Sequence, residues 1–323
     1  MRPIRRILVA VKDPAARALP GVAKAAQLAR ALSAQLELFH ALDSCVYVDI
    51  LGLSEGELEP REDEERRQFL QRLGRIAARV RLHGVDVTVA AEWDFPAYEA
   101  IVRRASVTGA DLIVAERHAG RHIAPGLLGL ADWELLRLSP VPLLLVKQPR
   151  PYHHPRILAA VDPGHAFAKP ARLDQDILDL GGTLADALHG RLHAVHACVP
   201  VPGNLALLGA ANASRVQQAE IARARSNFDR LLRATDIPAA RRHLVGGDPS
   251  DAVRETAGRL RCDIVVLGAI SRSGLKRLAI GNTAERLLDR VAGDLLIVKP
   301  PGFESRVPRA RRGPRLLALQ PLF

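Results

Sequence analysis

Short hydrophobic runs recur along the chain, most of them unbroken by a polar position, and amphipathic or charged stretches separate them. In the first half the runs fall at Ile7–Val11, Gln35–His40, Asp86–Ala91, Asp111–Ala115 and Pro142–Val146. In the second half they fall at Arg156–Val161, Arg191–Ala197, Arg241–Val245, Asp263–Leu267 and Asp294–Val298. Continuous apolar runs of this length suit parallel strands covered on both faces. Helical periodicity fills the gaps. Gly21–Leu32 and Leu173–Leu188 predict the first crossovers, Glu62–Leu82 and Ala213–Ala234 long charged second helices, and Tyr98–Val107 and Ser250–Leu260 shorter third ones. Regular alternation of strand and helix predicts α/β architecture: two tandem doubly wound, five-stranded parallel sheets.

The two halves repeat each other. Arg6-Ile7-Leu8-Val9-Ala10-Val11 returns as Arg156-Ile157-Leu158-Ala159-Ala160-Val161. Asp111-Leu112-Ile113-Val114 returns as Asp263-Ile264-Val265-Val266, and Leu143–Lys147 as Leu295–Lys299, both at one common displacement. That period far exceeds those of solenoid repeats, so the pattern is domain duplication. The expected boundaries are a domain over 1–148, a Pro-rich linker over 149–155, a domain over 156–303, and a basic, mobile tail over 304–323.

Composition narrows the class. Aromatics make up only 4% of the chain, so Leu, Val, Ile and Ala must fill the interior. No long uncharged apolar run predicts a membrane span. The N-terminal apolar run is short and ends at Lys12 and Asp13, unlike a signal peptide, so a cytoplasmic protein is expected. Cys45, Cys198 and Cys262 form no framework. The formal net charge is +11. Five arginines between Arg306 and Arg315, with no acid among them, make the tail a candidate anionic-surface or nucleic-acid patch.

In open sheets of this kind a ligand sits beyond the carboxyl ends of the strands, where strand order reverses. With order 3-2-1-4-5, that point lies between strands 1 and 4. In the second half Asp162 ends strand 1 and Gly268 ends strand 4. A loop through Ser271 and Gly274 follows, reaching Gly281-Asn282-Thr283-Ala284-Glu285 before an apolar helix start. A small-residue loop feeding a helix N-terminus presents free backbone N–H groups, which suit phosphate.

The stretch from Cys262 to Pro300 resembles the C-terminal signature of the universal stress protein family. Its nucleotide-binding members carry Gly, two residues, Gly, nine residues, Gly, then Ser or Thr. Gly268 and Gly281 match; Ser271 stands in place of the second glycine and Asn282 in place of the hydroxyl residue. Asp162 matches the family's adenine-side acid. The resemblance implies that Asp162, Gly268, Ser271, Gly281, Asn282 and Thr283 form an ATP or ADP site in the second domain. In the first half Glu116 stands at the place of Gly268, Ala119 at Ser271 and Leu130 at Asn282, with only Gly129 keeping its glycine, and Lys12 replaces the strand-1 acid. A carboxylate there repels phosphate, so no nucleotide is expected in the first domain. Nearly the whole chain, with Trp93-Asp94-Phe95-Pro96 and Asp132–Pro142, resembles the tandem, two-domain type of the family. That type implies a non-catalytic role in stress survival, including DNA-damage and oxidative stress, with effects on adhesion and motility. It also implies a small ligand in the second domain, nucleotide or lipid-like, and pairing of the two halves within the chain, with homodimers as a further arrangement.

Other constellations are weaker. His193 and His196, three apart on a strand, face opposite sides, and no metal is expected there. His118 and His122 lie in a loop. Neither a nucleophile elbow nor a complete phosphate-loop motif is present. A weak ATPase, for which Asp162 and Glu285 are the nearby acids, and binding of anionic surfaces through the arginine tail remain the competing readings.

Overall fold

Arg6–Ala10 (β1) and Arg156–Ala160 (β7) are central strands, and each is fixed at its start by the same device. Asp111 Oδ2 accepts the main-chain N–H groups of Arg5 and Arg6 at 2.8 and 3.0 Å. Asp263 Oδ2 accepts that of Arg156 at 2.8 Å. The arginine opening each strand donates to a carbonyl closing the third helix, Arg6 to Thr108 at 2.7 Å and Arg156 to Leu260 at 2.9 Å. The repeated Arg and Asp positions therefore fasten strand 1 to the entry of strand 4 in both halves. The computed structural model describes residues 3–43, 45–49, 55–117, 129–164, 172–198, 210–269, 286–288 and 290–319. It divides into two compact units, residues 2–151 with 304–323 and residues 152–303.

In the first unit β1 pairs in parallel with β2 (Gln35–Leu42) and β5 (Leu112–Glu116); β2 pairs with β4 (Val87–Trp93), and β5 with β6 (Leu143–Val146). The order is β4-β2-β1-β5-β6, that is 3-2-1-4-5 for the core strands. In the second unit β7 lies between β8 (Arg191–Cys198) and β10 (Ile264–Gly268), with β9 (Arg242–Gly246) beyond β8 and β11 (Asp294–Val298) beyond β10. The order is again 3-2-1-4-5. Leu8, Leu38, Val114, Leu144, Leu158 and Val266 are fully buried, as strands covered on both faces require.

Helix α1 (Pro20–Leu32) begins with Pro at its first turn and ends on Ser33 at φ 54°, and buries Ala25, Leu28 and Ala29. Its counterpart α5 (Leu173–Ala187) buries Leu173, Ile177, Leu180 and Leu184. The second helices are α2 (Glu55–Arg81) and α6 (Ala210–Leu232), the third α3 (Ala97–Thr108) and α7 (Pro249–Leu260). Asp248 caps α7, accepting the N–H of Ser250 at 2.8 Å. In the first unit α4 (Gly129–Leu138) precedes β6. Among the described residues no helix is long and apolar enough to cross a membrane.

The structure departs from the sequence reading in two linked places. An extra strand, β3 (Cys45–Asp49), follows β2, and the expected tail folds back to pair with it. β12 (Arg315–Leu319) runs parallel to β3 with Leu317 opposite Tyr47. The approach to β12 is pinned to the first unit by charge. Arg103 on α3 is buried and grips Asp94 with two hydrogen bonds of 2.6 and 2.7 Å, while donating to Glu99 at 2.9 Å and to the Pro308 carbonyl at 3.1 Å. Arg312 completes the cluster, its guanidinium meeting Glu99 at 2.9 and 3.0 Å and its N–H meeting Asp94 at 3.0 Å. Arg311 reaches Glu92 at 3.0 Å. The physical reason for the correction is local neutralisation. The basic segment meets carboxylates buried in the first unit, and its apolar Leu316-Leu317-Ala318-Leu319 run completes a strand pair. Two of the five arginines expected to be free for an anionic surface are thereby engaged.

On the second unit His193 and His243 stack across β8 and β9 with ring centroids 5.5 Å apart, and their nitrogens meet at 3.2 Å. Burial, His243 and then Arg241, Arg156 and Arg191 pull His193 down to about 4. Burial, followed by Arg259, lowers His243 as well. His193 thus stays neutral in the folded chain while an unfolded histidine protonates below about 6.5. The unfolded state binds the extra proton, so stability falls as pH drops from about 6.5 towards 4. His193→Gln is expected to remove about 2–3 kcal/mol of that acid-dependent loss. Urea unfolding of the second domain at pH 7 and pH 4.5, compared between the two proteins, checks it; an equal loss in both would exclude the pair as its source.

Candidate functional site

The parallel register of β7 and β10 sets Ala160 opposite Leu267, so the chain leaves both strands side by side at their carboxyl ends. Asp162 stands two residues beyond that pair and Gly268 one residue beyond. The neighbouring connections depart in opposite directions, to β8 through α5 and to β11, which makes this the switch point of the second domain. The Asp162 side chain is half exposed. Its main-chain N–H donates to Asp174 Oδ1 at 3.0 Å in the first turn of α5. His196, buried on β8, directs Nδ1 at the Val161 carbonyl at 3.2 Å and lies 3.9 Å from Asp162 Oδ1. Behind it stands Phe228 of α6, with ring centroids 5.8 Å apart. Among the described residues, the ends of β7 and β10 thus present a solvent-facing carboxylate, Asp162, with the buried Asp174 and His196 beside it. Such a wall accepts hydrogen bonds from hydroxyl or amino donors.

Gly268 is required by packing. A Cβ built there meets Leu173 Cδ2 at 2.6 Å and Ile177 Cδ1 at 3.3 Å. The first turn of α5 therefore presses onto the end of β10, and any larger residue must displace it. In the first domain the same contact is inverted. A Cβ on Gly21, in the first turn of α1, meets Glu116 Cγ at 2.6 Å. Glu116 is the strand-end residue and Gly21 the helix residue, so bulk and glycine have exchanged places. The carboxylate that the sequence reading sets against phosphate is turned onto α1, where Glu116 Oε1 accepts the Gly21 N–H at 2.6 Å. An internal acid thus takes an N-terminal donor of α1, where the helix dipole favours negative charge.

Of the residues read from sequence, Asp162 and Gly268 are brought to adjacent strand ends. Ser271, Gly281, Asn282 and Thr283, on which phosphate contact was expected, lie outside the described residues, as do His118, His122 and Glu285. Sequence reasoning passed over Asp174 and weighed His196 only as a metal ligand, not as a neighbour of Asp162. His196 has a twin: His40 on β2 places Nδ1 2.8 Å from the Val11 carbonyl and its ring 4.4 Å from that of Phe69 on α2. Burial lowers the pKa of His40, with the Val11 carbonyl opposing the shift. The signal was present as a His-Ala pair at the same place in strand 2 of both halves. His193 and His196 do face opposite sides, the first onto His243 and the second onto Phe228. Among the described residues no group of three or more His, Cys, Asp or Glu side chains is placed to hold a metal ion.

The model of the universal stress protein family matches this chain twice, over residues 3–147 and 154–299. Universal stress protein E of Escherichia coli (strain K12) is 28% identical over 230 residues, covering 69% of this chain and 72% of that protein. A homologue of universal stress protein E from Haemophilus influenzae is 28% identical over 210 residues, 64% of this chain and 68% of its own. Among solved structures, a putative universal stress protein of Pseudomonas aeruginosa UCBPP-PA14 superposes with a TM-score of 0.72 at 24% identity, covering 92% of this chain and 94% of that one. That likeness is one of fold. The two family matches account for both repeats, and the chain belongs to the universal stress protein family as a tandem, two-domain member.

Proposed function

We propose that the chain is a non-catalytic stress-response module whose second domain holds an adenine nucleotide, ATP or ADP, at the crevice beside Asp162, and whose first domain holds none. The adjacency of Asp162 and Gly268, fixed by the register of β7 and β10, carries this reading. Asp162 would accept hydrogen bonds from the nucleoside, and the loop beginning at Gly268 and running through Ser271, Gly281, Asn282 and Thr283 would face the phosphates. In the first domain Glu116 already satisfies the α1 N-terminus, which supports assigning binding to one domain. Asp162, Asp174 and His196 are suited to orienting a ligand.

Titration calorimetry of the intact chain with ATP and ADP tests the reading. One site per chain is expected. Asp162→Ala should weaken it by about tenfold or more, the effect of losing a hydrogen bond to a charged acceptor. Absence of heat with both nucleotides, together with absence of nucleotide in the purified protein, would remove the nucleotide from the proposal. Turnover to ADP that Asp162→Ala abolishes would make the domain an ATPase.

A further inference from the structure

The first domain carries a groove of about 920 Å³ between α1, α2 and the loop that follows β1. On α1 and its N-cap its floor is Leu19, Val22, Ala23 and Ala26, at the three- and four-residue spacing of one helix face; on α2 it is Ile76 and Val80. Its rim is arginine: Arg17 and Arg30 on one side, Arg72, Arg75 and Arg79 on the other. No carboxylate lines it. Among the described residues none of the five arginines forms an ion pair, although Arg72 lies 5.3 Å from the centre of the Phe69 ring. The acids of α2 that do pair, Asp63 and Glu64, pair with Arg66 and Arg67 on an earlier turn.

Two properties together select an occupant. The cations are several and spread out: Arg17 lies in the loop before α1 and Arg30 in its last turn, and Arg72 and Arg79 are separated by about 10 Å of α2. A ligand with a single anionic head would neutralise one region and leave the rest. A nucleic acid strand would meet the arginines and leave the aliphatic floor unused. On the α1 side Ala23 and Ala26 keep the floor low, which lets another backbone come close. We infer that this groove docks an acidic amphipathic helix of a partner protein, its apolar stripe on the accessible Ala23, Ala26 and Ile76 and its flanking carboxylates on the arginines of the two sides. This is the helix-in-groove mode of recognition, with electrostatic complementarity fixing register and speeding encounter. It is independent of nucleotide binding in the second domain.

The test uses the full chain and a labelled synthetic peptide of about 18 residues, long enough to span the groove as a helix. Its leucines and alanines form one face and its glutamates flank that face on both sides. A scrambled isomer of identical composition, vesicles of anionic phospholipid and a short DNA duplex are the comparison ligands. By fluorescence anisotropy the amphipathic peptide is expected to bind at least about tenfold more tightly than its scrambled isomer, with affinity falling as salt rises. Arg75→Glu/Arg79→Glu should weaken it by at least about tenfold through like-charge repulsion. Ala23→Trp, which fills the floor from an exposed position, should weaken it comparably with the thermal midpoint unchanged. Equal binding of the two peptides, no binding of either, or insensitivity to both variants would overturn the inference. Preference for the vesicles or the duplex, lost in the same variants, would overturn it in favour of a membrane or nucleic acid.

Discussion

Arg103→Met is expected to destabilise the first domain by about 3–5 kcal/mol, the usual cost of removing one partner from a buried ion pair. The substitution leaves Asp94 and Glu99, 1% and 6% exposed, with only the more exposed Arg312 between them. It also leaves the Pro308 carbonyl without the donor Arg103 supplies. The chain's two tryptophans, Trp93 and Trp133, both lie in the first domain, so urea unfolding followed by their fluorescence reports on that domain alone. Arg103→Met/Asp94→Asn/Glu99→Gln removes the uncompensated charge together with the cation, and should recover a large part of the loss. Arg312→Ala should cost less, about 1–2 kcal/mol, because its guanidinium is more than half exposed and water replaces part of what it gives. A fall of less than about 1 kcal/mol for Arg103→Met would mean that the cluster contributes little.

The second large effect concerns the exchanged glycine. Gly268→Glu alone should destabilise the second domain by about 3–5 kcal/mol, since the new side chain meets the buried Leu173 and Ile177 and brings a charge with it. Leu173→Gly alone should also cost several kcal/mol, as removal of a fully buried leucine does. Combined, they recreate the pairing of Glu116 and Gly21, in which the carboxylate accepts the helix N–H. The double variant should therefore be more stable than the sum of the single losses by about 2 kcal/mol, a coupling typical of residues in direct contact. Hydrogen exchange of the β7 and β10 amides measures it. Additive losses would show that the inversion does not work as a unit.

Much of this was legible. The ten core strands and the six long helices follow from continuous apolar runs and helical spacing, because parallel strands covered on both faces must read that way. The common displacement between the halves aligns Glu116 with Gly268, and so exposes the asymmetry at the site. Other parts were hidden for identifiable reasons. β3 is only five residues long and follows β2 after just Asp43 and Ser44, and its partner strand lies at the far end of the chain. The Arg- and Pro-rich composition of 306–315 masked the strand that begins at its end, and the carboxylates that hold it lie more than two hundred residues upstream. α2 begins at Glu55, ahead of Pro60, which sequence rules read as a helix breaker. Asp174 is unremarkable along the chain and His196 was weighed only as a metal ligand; the meaning of both comes from meeting Asp162 at one strand end.

The strap from Glu304 onward has a consequence for biosynthesis. A nascent chain releases its N-terminal half first, and domains ordinarily fold in that order. Here the N-terminal domain emerges lacking Arg312, the cation that completes its acidic cluster, and lacking the strand that pairs with β3. These arrive only after the whole second domain has been made. The half made first is therefore the half finished last, and a polypeptide terminated early is marked by an incomplete first domain, however well its second domain has folded.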